Sequence, residues 1–535
     1  MRKVIILTLL VLCQWSWAGV RPEAKMRKIA ASKLLGNAAA ASKLEILDEN
    51  SAYRIYGKDQ QGFVIVSTDE NAKEVLGYST KAYDKDNLPP AFKLWLKAIE
   101  VSTIDKTVNA SYTVVPNFMT STWGQGDPYN FLCPQIDGQL PPCGCVATAM
   151  GQIMYYYQHP VQGTGSGYYT VGENTTTRYP DDIKGIYQWG MMKPKYSETS
   201  TTDDERIAVS TLLKDAGLAV HMNYNIGGSG AQIISAAQAF INNFGYDSNT
   251  TQLLERMFYS EEEWYSVIYN ELAAKRPILV GGMNEAGKDG HAFIFSGIDE
   301  DGKVYVNWGW NGSADGYYEI KGLNPRGILG SNNMMDFNFY NEIICGLRPA
   351  QGEPDISLRH SSFACNEPFT AEYQKIRNWL KVKTTSIYNN SLYSFSGEIK
   401  LYCQNMDGDA TKDKTYTFLD FTSEELLPGY GYFSEQTKTV KTTDLDPGKY
   451  YIYLVSQAIN ESTPQMVHRP GGIQRYIMTK EDDGKLTVEE DTPTGIFSIY
   501  QTPTVSSARI FDLLGREVKT PQRGVYIING KKVVK

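Results

Sequence analysis

The sequence predicts an α+β protein over its first two thirds and an all-β region after that. Helical and strand patterns mix up to about residue 350, whereas short strands broken by turns follow one another from about 353 to 480, a spacing typical of a β-sandwich. The chain has 535 residues, which at about 150 residues per domain predicts three or four domains. An apolar fraction of 42% and a charged fraction of 21% exclude collagen, coiled coil and wholesale disorder.

The first 18 residues predict a secretory signal peptide. A basic start precedes an apolar run from Val4 to Cys13, and small residues flank a cleavage point after Ala18, as in exported proteins. The run has about half of the roughly 20 residues that a membrane helix needs. No later segment approaches that length, so we expect an exported chain with no membrane span.

Residues 19–115 predict a compact α+β unit with the size of a pro-region. A basic helical stretch from Arg21 to Leu35 is followed by strand patterns near residues 53–56, 62–67 and 75–78. Pro89 and Pro90 then precede an amphipathic helix from Ala91 to Val101, since proline is favoured at the start of a helix. Residues 116–350 follow as the unit that holds the candidate chemistry.

The rest of the chain predicts three segments. Residues 353–480 predict the β-sandwich, with strand patterns in Ser391–Cys403 and Gly448–Val455. Residues 481–494, rich in Asp, Glu and Thr, predict a linker. In residues 495–535, two apolar strands flank Asn529-Gly530, a pair that accepts the positive φ angles of a tight hairpin turn.

Charge and cysteine content restrict the partners. The chain has 52 Lys and Arg against 60 Asp and Glu, a formal net charge of −8, so no basic field is present to bind nucleic acid. Six cysteines remain after residues 1–18, too sparse for a disulfide framework, and at least one thiol is therefore expected to serve chemistry. Cys143 and Cys145 lack zinc-knuckle spacing, and residues 405–409 offer too few oxygens for a calcium loop. We expect no metal and no cofactor.

Cys145 is the candidate nucleophile. Pro141, Pro142 and Gly144 disfavour a helix before it, and a helix with small residues is predicted directly after it. At a helix N-terminus, unpaired amides and the helix dipole favour a thiolate and lower the thiol pKa by about one to several units. Cys143 is expected to pack, or to pair with Cys133, rather than to react.

His291 is the candidate base, because it lies in a glycine-rich loop that leads into a strand 146 residues after Cys145. A tight turn then returns a paired strand carrying Asn307 and Trp308, which can orient and shield the imidazole. Upstream, Gln125 lies between two glycines. Its amide can donate, together with the Cys145 backbone amide, to a developing oxyanion.

The other four histidines are interpreted as structural. His159 precedes Pro160 at a predicted helix end, and His360 and His468 are expected on the surface of the sandwich. His221 precedes a glycine-rich stretch of the kind that rims substrate clefts, and it is the hardest of the four to dismiss.

These residues stand in motifs that resemble the streptopain family of papain-fold cysteine peptidases. The motifs are Gln-Gly-Asp-Pro-Tyr-Asn (125–130), Gly-Cys-Val-Ala-Thr-Ala (144–149), Gln-Ile-Met-Tyr-Tyr (152–156), Gly-His-Ala-Phe (290–293) and Val-Asn-Trp-Gly-Trp (306–310). With the pro-region, which includes Gly-Phe-Val-Ile-Val-Ser (62–67), the similarity spans about residues 19–350.

The resemblance implies a papain-like catalytic domain at 116–350 and an endopeptidase made as an inactive zymogen. It implies protein or peptide substrates and the pro-domain as the inhibitory partner. Cys145 would be the nucleophile, His291 the base and acid, and Gln125 part of the oxyanion hole. Members of the family tend to favour an apolar residue one position before the residue that donates the cleaved carbonyl.

The third triad position departs from the papain pattern. Papain-like enzymes have Asn-x-Trp-Gly there, whereas Asn307 is followed directly by Trp308. Either Asn307 accepts a hydrogen bond from the imidazole, or the indoles of Trp308 and Trp310 hold the ring instead.

Residues 495–535 resemble the C-terminal sorting domain of the type IX secretion system, through the segments Ser507–Val518 and Arg523–Lys535. This resemblance implies export through the periplasm and outer membrane, the secretion machinery as a partner, and a secreted or cell-surface location. Two other functions remain open: a catalytically silent surface adhesin that binds through the tyrosine-rich β-domain, and a transglutaminase-like acyl transferase.

Overall fold

The computed structural model describes residues 19–58, 61–101, 113–197, 199–283, 290–320, 342–352, 361–375, 377, 379–461 and 463–491, with the backbone of 510–511, 525–528 and 531–534. The predicted signal peptide, His360 and the turn at Asn529-Gly530 lie outside the described residues. The helices are α1 Glu23–Leu35, α2 Pro90–Val101, α3 Cys145–Tyr157, α4 Asp203–Ala219, α5 Ile233–Asn242 and α6 Glu261–Ala273.

The strands fall into three domains and a tail. The N-terminal domain (residues 19–101) contains β1 Glu45–Glu49, β2 Tyr53–Gly57, β3 Phe63–Ser67 and β4 Val75–Ser79. The central domain (residues 113–349) contains β5 Ser166–Val171, β6 Asn174–Asp182, β7 Asn223–Tyr224, β8 Gln252–Glu255, β9 Ile278–Met283, β10 Gly290–Ile298, β11 Val304–Asn307, β12 Gly316–Tyr318 and β13 Glu342–Cys345.

The β-domain (residues 361–491) contains β14 Phe363–Cys365, β15 Thr370–Gln374, β16 Trp379–Thr384, β17 Ile387–Asn389, β18 Gly397–Asn405, β19 Lys414–Asp420, β20 Gly431–Tyr432, β21 Gln436–Lys441, β22 Gly448–Ala458, β23 Gln465–Met466, β24 His468–Arg469, β25 Gly472–Ile473, β26 Arg475–Lys480 and β27 Leu486–Asp491. The tail contains β28 Ile510–Phe511, β29 Val525–Ile528 and β30 Lys531–Val534. Strands β29 and β30 pair antiparallel, as the predicted hairpin requires.

The N-terminal domain is a four-stranded sheet between two helices. Small residues of α1, Ala30 and Ala31, pack on one face of the sheet with Tyr56. On the other face, Phe92 and Trp95 of the amphipathic α2 are fully buried. The buried apolar side chains of α2 are those expected of the amphipathic helix that the sequence predicts from Ala91 to Val101.

One ten-stranded sheet runs through the N-terminal and central domains in the order β1-β2-β3-β4-β12-β11-β10-β9-β13-β8. The two domains meet where β4 pairs antiparallel with β12, with Tyr78 opposite Tyr317 and Gly77 opposite Tyr318. Backbone hydrogen bonds therefore join the domains as well as side-chain packing.

The central domain packs helices against the far half of this sheet. Helix α3 is buried from Val146 to Met154 and shares a core with α4, α5 and residues Ala292 and Ile294 of β10. Helix α6 covers the opposite face of the sheet, with Trp264 and Ile268 fully buried beside Phe293. The candidate nucleophile and base thus lie on two elements that share one core.

The β-domain is built from three sheets around one apolar core, so the prediction of an all-β region is confirmed. Strands β19-β18-β22-β26-β27, with β23 paired to β22, form the largest sheet of this domain, and side chains such as Ile399, Leu380 and Phe363 meet in the core from different sheets. Burial of alternate residues along β16 and β18 is the pattern of strands with one face on a core.

Two expectations for this region are corrected. Residues 481–494 were predicted as a linker, but they include β27, which pairs along its length with β26. In this edge strand the acidic side chains face solvent while Leu486 is buried, so a segment rich in Asp, Glu and Thr still forms a strand. His468 was expected at the surface, but it is only 9% exposed and its ring lies 4.8 Å from that of Tyr259 in the central domain.

Candidate active site

The chain places Cys145 at the first position of α3, as predicted. Gly144 precedes it with φ at 91°, a left-handed conformation that favours glycine. A Cβ atom at this position would lie 2.6 Å from the terminal methyl of Met222, so the space also excludes a side chain. The sharp entry into the helix leaves the Cys145 thiol half-buried at the helix N-terminus.

The thiol pKa differs from the prediction. Burial raises the pKa of Cys145, while the backbone amides of Ala292, Val146 and Cys145 itself stabilise the thiolate and oppose that rise. Desolvation outweighs the amides in this form of the chain, so the expected lowering of the thiol pKa is wrong here. A nearby cation or a wetter site would reverse the balance.

The thiol and His291 face the same cleft. His291 is the second residue of β10, half-buried, and lies opposite Gly282 of β9. The next residue, Ala292, supplies the amide that contacts the thiol. A cleft of about 660 Å³ is lined by Cys145, His291, Glu342 and residues of four further segments: Tyr168–Thr175, Val220–Asn225, Gly228–Ser235 and Gly281–Gly282.

His221 belongs to this cleft as well. Its ring stacks on Tyr168 at 4.0 Å, with an interplanar angle of 12°, and burial together with the Arg178 charge lowers its pKa. The sequence placed it beside a cleft-rim motif, and the structure places both the histidine and the glycine-rich stretch in the cleft wall.

The Gln125 backbone contacts Cys143, two residues before the candidate nucleophile. The Cys143 amide donates to the Gln125 carbonyl at 2.9 Å, which places the Gln125 backbone next to the turn that leads into α3. The Cys143 side chain is fully buried and its Sγ lies 3.3 Å from Thr148 Oγ1. Cys133 and Cys143 are both free thiols, so Cys143 packs rather than pairs.

The side chain of Asn307 forms its hydrogen bonds with groups other than the His291 imidazole. Its Nδ2 donates to the Ser121 carbonyl at 2.8 Å and to Gln152 Oε1 at 2.9 Å. Its Oδ1 accepts from the Gly309 amide at 2.9 Å and from Gln152 Nε2 at 3.3 Å. Both polar atoms are thus engaged, and the expected hydrogen bond from His291 to Asn307 is absent from this form of the chain.

The indole N–H of Trp308 has a backbone partner. Its indole N–H donates to the Ala314 carbonyl at 2.9 Å, and its ring packs against Phe293 and against Phe92 of the N-terminal domain, at centroid distances of 5.3 and 5.6 Å. Its backbone amide donates to Asp315, whose pKa burial raises to about 7. The indole therefore shields the sheet beneath β10 instead of hydrogen-bonding through its N–H to the histidine.

Sequence reasoning missed Gln152 and Glu342. Gln152 lies seven residues after Cys145 on α3, a spacing that returns to the same helix face, so helical periodicity was a signal that could have found it. Glu342 reaches the cleft only through the pairing of β13 with β9, which local sequence does not encode.

The fold and this site define a papain-like cysteine peptidase with an N-terminal inhibitory domain. Residues 123–318 match the Peptidase C10 family, and residues 21–102 match the Spi protease inhibitor family. Streptopain from Streptococcus pyogenes is 30% identical over 357 residues, covering 61% of this chain and 89% of that protein. The chain therefore belongs to the peptidase C10 family, and it is a cysteine protease with a zymogen-type pro-domain.

Two further relatives agree. The thiol protease/hemagglutinin PrtT from Porphyromonas gingivalis is 30% identical over 332 residues, covering 57% of this chain and 38% of that protein. A structure of a prointerpain A fragment from Prevotella intermedia is 34% identical, with a TM-score of 0.50, and covers 58% of this chain and 99% of that one. The predicted α+β papain-like class and the predicted family are confirmed.

Proposed function

We propose that this chain is a secreted cysteine endopeptidase, made as an inactive zymogen, that hydrolyses peptide bonds through a thioester on Cys145. The observation that carries the proposal is the shared cleft, in which the thiol at the start of α3 and His291 on β10 both line the wall. A nucleophile and a base on two rigid elements are the minimum for covalent acyl transfer.

The reaction runs in two halves. His291 takes the thiol proton, and Sγ attacks the scissile carbonyl carbon, so that a C–S bond forms and the carbonyl oxygen becomes an oxyanion. Gln125 and the Cys145 amide are the proposed donors to that oxyanion, and losing one such donor costs about 10²-fold in rate. The C–N bond then breaks, and His291 returns the proton to the leaving amine.

Water completes the cycle. His291 removes a proton from water, the hydroxide attacks the thioester carbon, and the C–S bond breaks to release the acid and regenerate the thiol. Asn307 and Trp308 are proposed as positioning residues: Asn307 ties β11, the neighbour of β10, to Gln152 on α3, and Trp308 packs beneath β10 against Phe293.

Export is a further part of the proposal. Residues 1–18 would direct the chain across the inner membrane, and the tail would direct it across the outer membrane through the type IX machinery. Among the described helices, none combines the length and apolarity of a membrane span. Mass spectrometry of the mature termini tests this part, since retention of residues 1–18 would contradict it.

Casein cleavage tests the catalytic assignment. The full chain is activated and compared with Cys145→Ala and Cys143→Ala, two substitutions that remove one thiol each on either side of Gly144. We expect Cys145→Ala to lose activity by at least about 10³-fold and Cys143→Ala to keep its active-site labelling by a thiol-directed inhibitor. Undiminished cleavage by Cys145→Ala removes the proposal, and high activity before loss of the N-terminal domain contradicts the zymogen assignment.

A further inference from the structure

A single carboxylate lies in the wall of the active-site cleft. Glu342, the first residue of β13, lines the cleft with Cys145 and His291. Among the described residues that line it, no other Asp or Glu and no Lys or Arg is present. The remaining lining is mostly apolar, hydroxyl, amide and glycine. Glu342 therefore determines the sign of the charge on this part of the cleft wall.

The sheet fixes where Glu342 lies relative to the chemistry. Ala292 of β10 lies opposite Gly281 of β9, and Gly281 lies opposite Glu342 of β13. Directly opposed residues of antiparallel strands point to the same face, and strands are spaced about 4.8 Å apart. Glu342 is thus about 10 Å across the sheet from Ala292, whose amide contacts the Cys145 thiol.

Gly281 lies on the sheet between them. Because it has no side chain, Ile233 of α5 packs directly on the sheet there, and a Cβ atom at Gly281 would lie 2.6 Å from Ile233 Cγ1. Gly281, Ile233 and Glu342 all line the cleft. The cleft wall thus runs from the thiol past the apolar Ile233 side chain to the Glu342 carboxylate, which suits a long side chain with an apolar stem and a charged end.

A second carboxylate, that of Glu255, lies next to Glu342 on the side away from β9. Glu255 of β8 lies directly opposite Glu342, and burial together with the Glu342 charge raises the Glu255 pKa to about 7. Burial also raises the pKa of Glu342. No described residue forms an ion pair or side-chain hydrogen bond with either carboxylate, and partly buried carboxylates without a cation are destabilised. A guanidinium or ammonium group that enters the cleft would offset this destabilisation of the carboxylates.

We propose that Glu342 determines substrate specificity by binding a basic side chain, arginine or lysine, located within two residues of the scissile bond. Arginine is the better fit, because its planar guanidinium matches a carboxylate with two parallel hydrogen bonds. This inference rests on the proposed peptidase function and departs from the apolar preference that the family resemblance implies. In this chain this part of the cleft wall ends in a carboxylate, which disfavours a leucine or isoleucine side chain at its end.

Peptide kinetics test the inference. Fluorogenic peptides differ only in Arg, Lys, Gln or Leu at each of the two residues on the acyl side of the scissile bond. They are assayed with the activated full chain, with Glu342→Gln and with Glu255→Gln. We expect the wild type to favour Arg over Leu in kcat/KM at one position by about tenfold or more, as one charge-assisted pair provides. Glu342→Gln should lose most of that preference, chiefly through a lower kcat/KM on the Arg peptides. Glu255→Gln, the matched change one strand away, should keep the preference for Arg.

The failure of this inference differs from the failure of the proposed function. A wild-type enzyme that cleaves the Leu peptides best overturns the inference without any variant, and so does an unchanged Arg to Leu ratio in Glu342→Gln. Equal losses on all peptides in Glu342→Gln assign it a structural role and also overturn the inference. In each of these cases, the proposed peptidase function still stands if Cys145→Ala has lost cleavage of all the peptides.

Discussion

At the scale of single residues, the amide pair Asn307 and Gln152 joins the two halves of the active site. Gln152 lies on the helix that begins with Cys145, and Asn307 lies on the strand next to β10, which carries His291. The pair exchanges two hydrogen bonds, at 2.9 and 3.3 Å, in a fully buried setting. Gln152 Oε1 also accepts from the Trp123 amide at 3.0 Å. The pair therefore fixes the helix against the sheet.

Removing either amide should cost stability in a coupled way. In a Cys145→Ala background that prevents self-digestion, Asn307→Ala and Gln152→Ala are each expected to lower the free energy of unfolding by about 1–3 kcal/mol, because buried partners are left unsatisfied. The double variant should cost clearly less than the sum of the two. Urea denaturation measures all four proteins, and additive costs would contradict a direct coupling between the two side chains.

At the scale of elements, the docking of the N-terminal domain depends on β12. This short strand pairs with β11 of its own domain and with β4 of the N-terminal domain. The indole N–H of Trp95 donates to the Glu319 carbonyl at 2.9 Å. The buried Glu319 carboxylate also forms an ion pair with Lys73. The contact surface adjoins Trp308, so docking of the pro-domain and packing beneath the active-site strand are linked.

Lys73→Gln should therefore destabilise the docked state selectively. Lys73 belongs to the N-terminal domain and Glu319 to the central domain, so removing the ammonium weakens a partly buried ion pair that exists only in the docked state. We expect the Lys73→Gln precursor to convert to mature enzyme faster than the wild type, as followed on gels over time. Lys85→Gln is the matched control, because Lys85 is 64% exposed and pairs with Asp48 inside the N-terminal domain. Equal rates for both variants would contradict a role of the buried pair in latency.

The elements that the sequence predicts correctly are those whose signals lie close together in the chain. Helix α2 has an apolar stripe and α3 has helix-hostile residues before Cys145, and both signals lie within a dozen residues. The pairing of β4 with β12 and of β13 with β9 joins residues far apart in the chain, and no local pattern encodes such registers. The same reason explains why local motifs pointed to Cys145, His291 and Gln125 as candidates but not to Gln152 or Glu342, whose positions depend on contacts between distant segments.

At the scale of the whole molecule, the β-domain docks on the central domain rather than hanging from a linker. The Gly471 amide donates to the Met257 carbonyl at 2.8 Å, and the Tyr393 hydroxyl donates to the Ser248 carbonyl at 2.6 Å. Between these contacts, His468 packs against Tyr259. The His468 and Gly471 contacts lie just before the start of α6, and none of the described residues that line the cleft belongs to the β-domain.

His468 makes this docking sensitive to pH. Burial lowers the pKa of His468 to about 4, whereas an unfolded histidine titrates near 6.5. Between these values the unfolded chain binds more protons than the folded chain, so the His468 contribution is intact above about pH 6.5 and is lost as the pH falls toward 4. A shift of this size corresponds to about 3 kcal/mol over the whole window.

Replacement of His468 by phenylalanine should therefore flatten part of the acid dependence. In the Cys145→Ala background, urea unfolding at pH 7.5 and at pH 4.5 is compared for the parent, His468→Phe and His159→Phe. The carboxylates that titrate in this range are common to all three proteins, so their contribution cancels in the comparison. We expect the parent and His159→Phe to lose similar stability on acidification, and His468→Phe to lose about 2–3 kcal/mol less. An equal loss in His468→Phe would mean that its ring is hydrated in solution and that the two domains separate there readily, contrary to the packing of His468 on Tyr259.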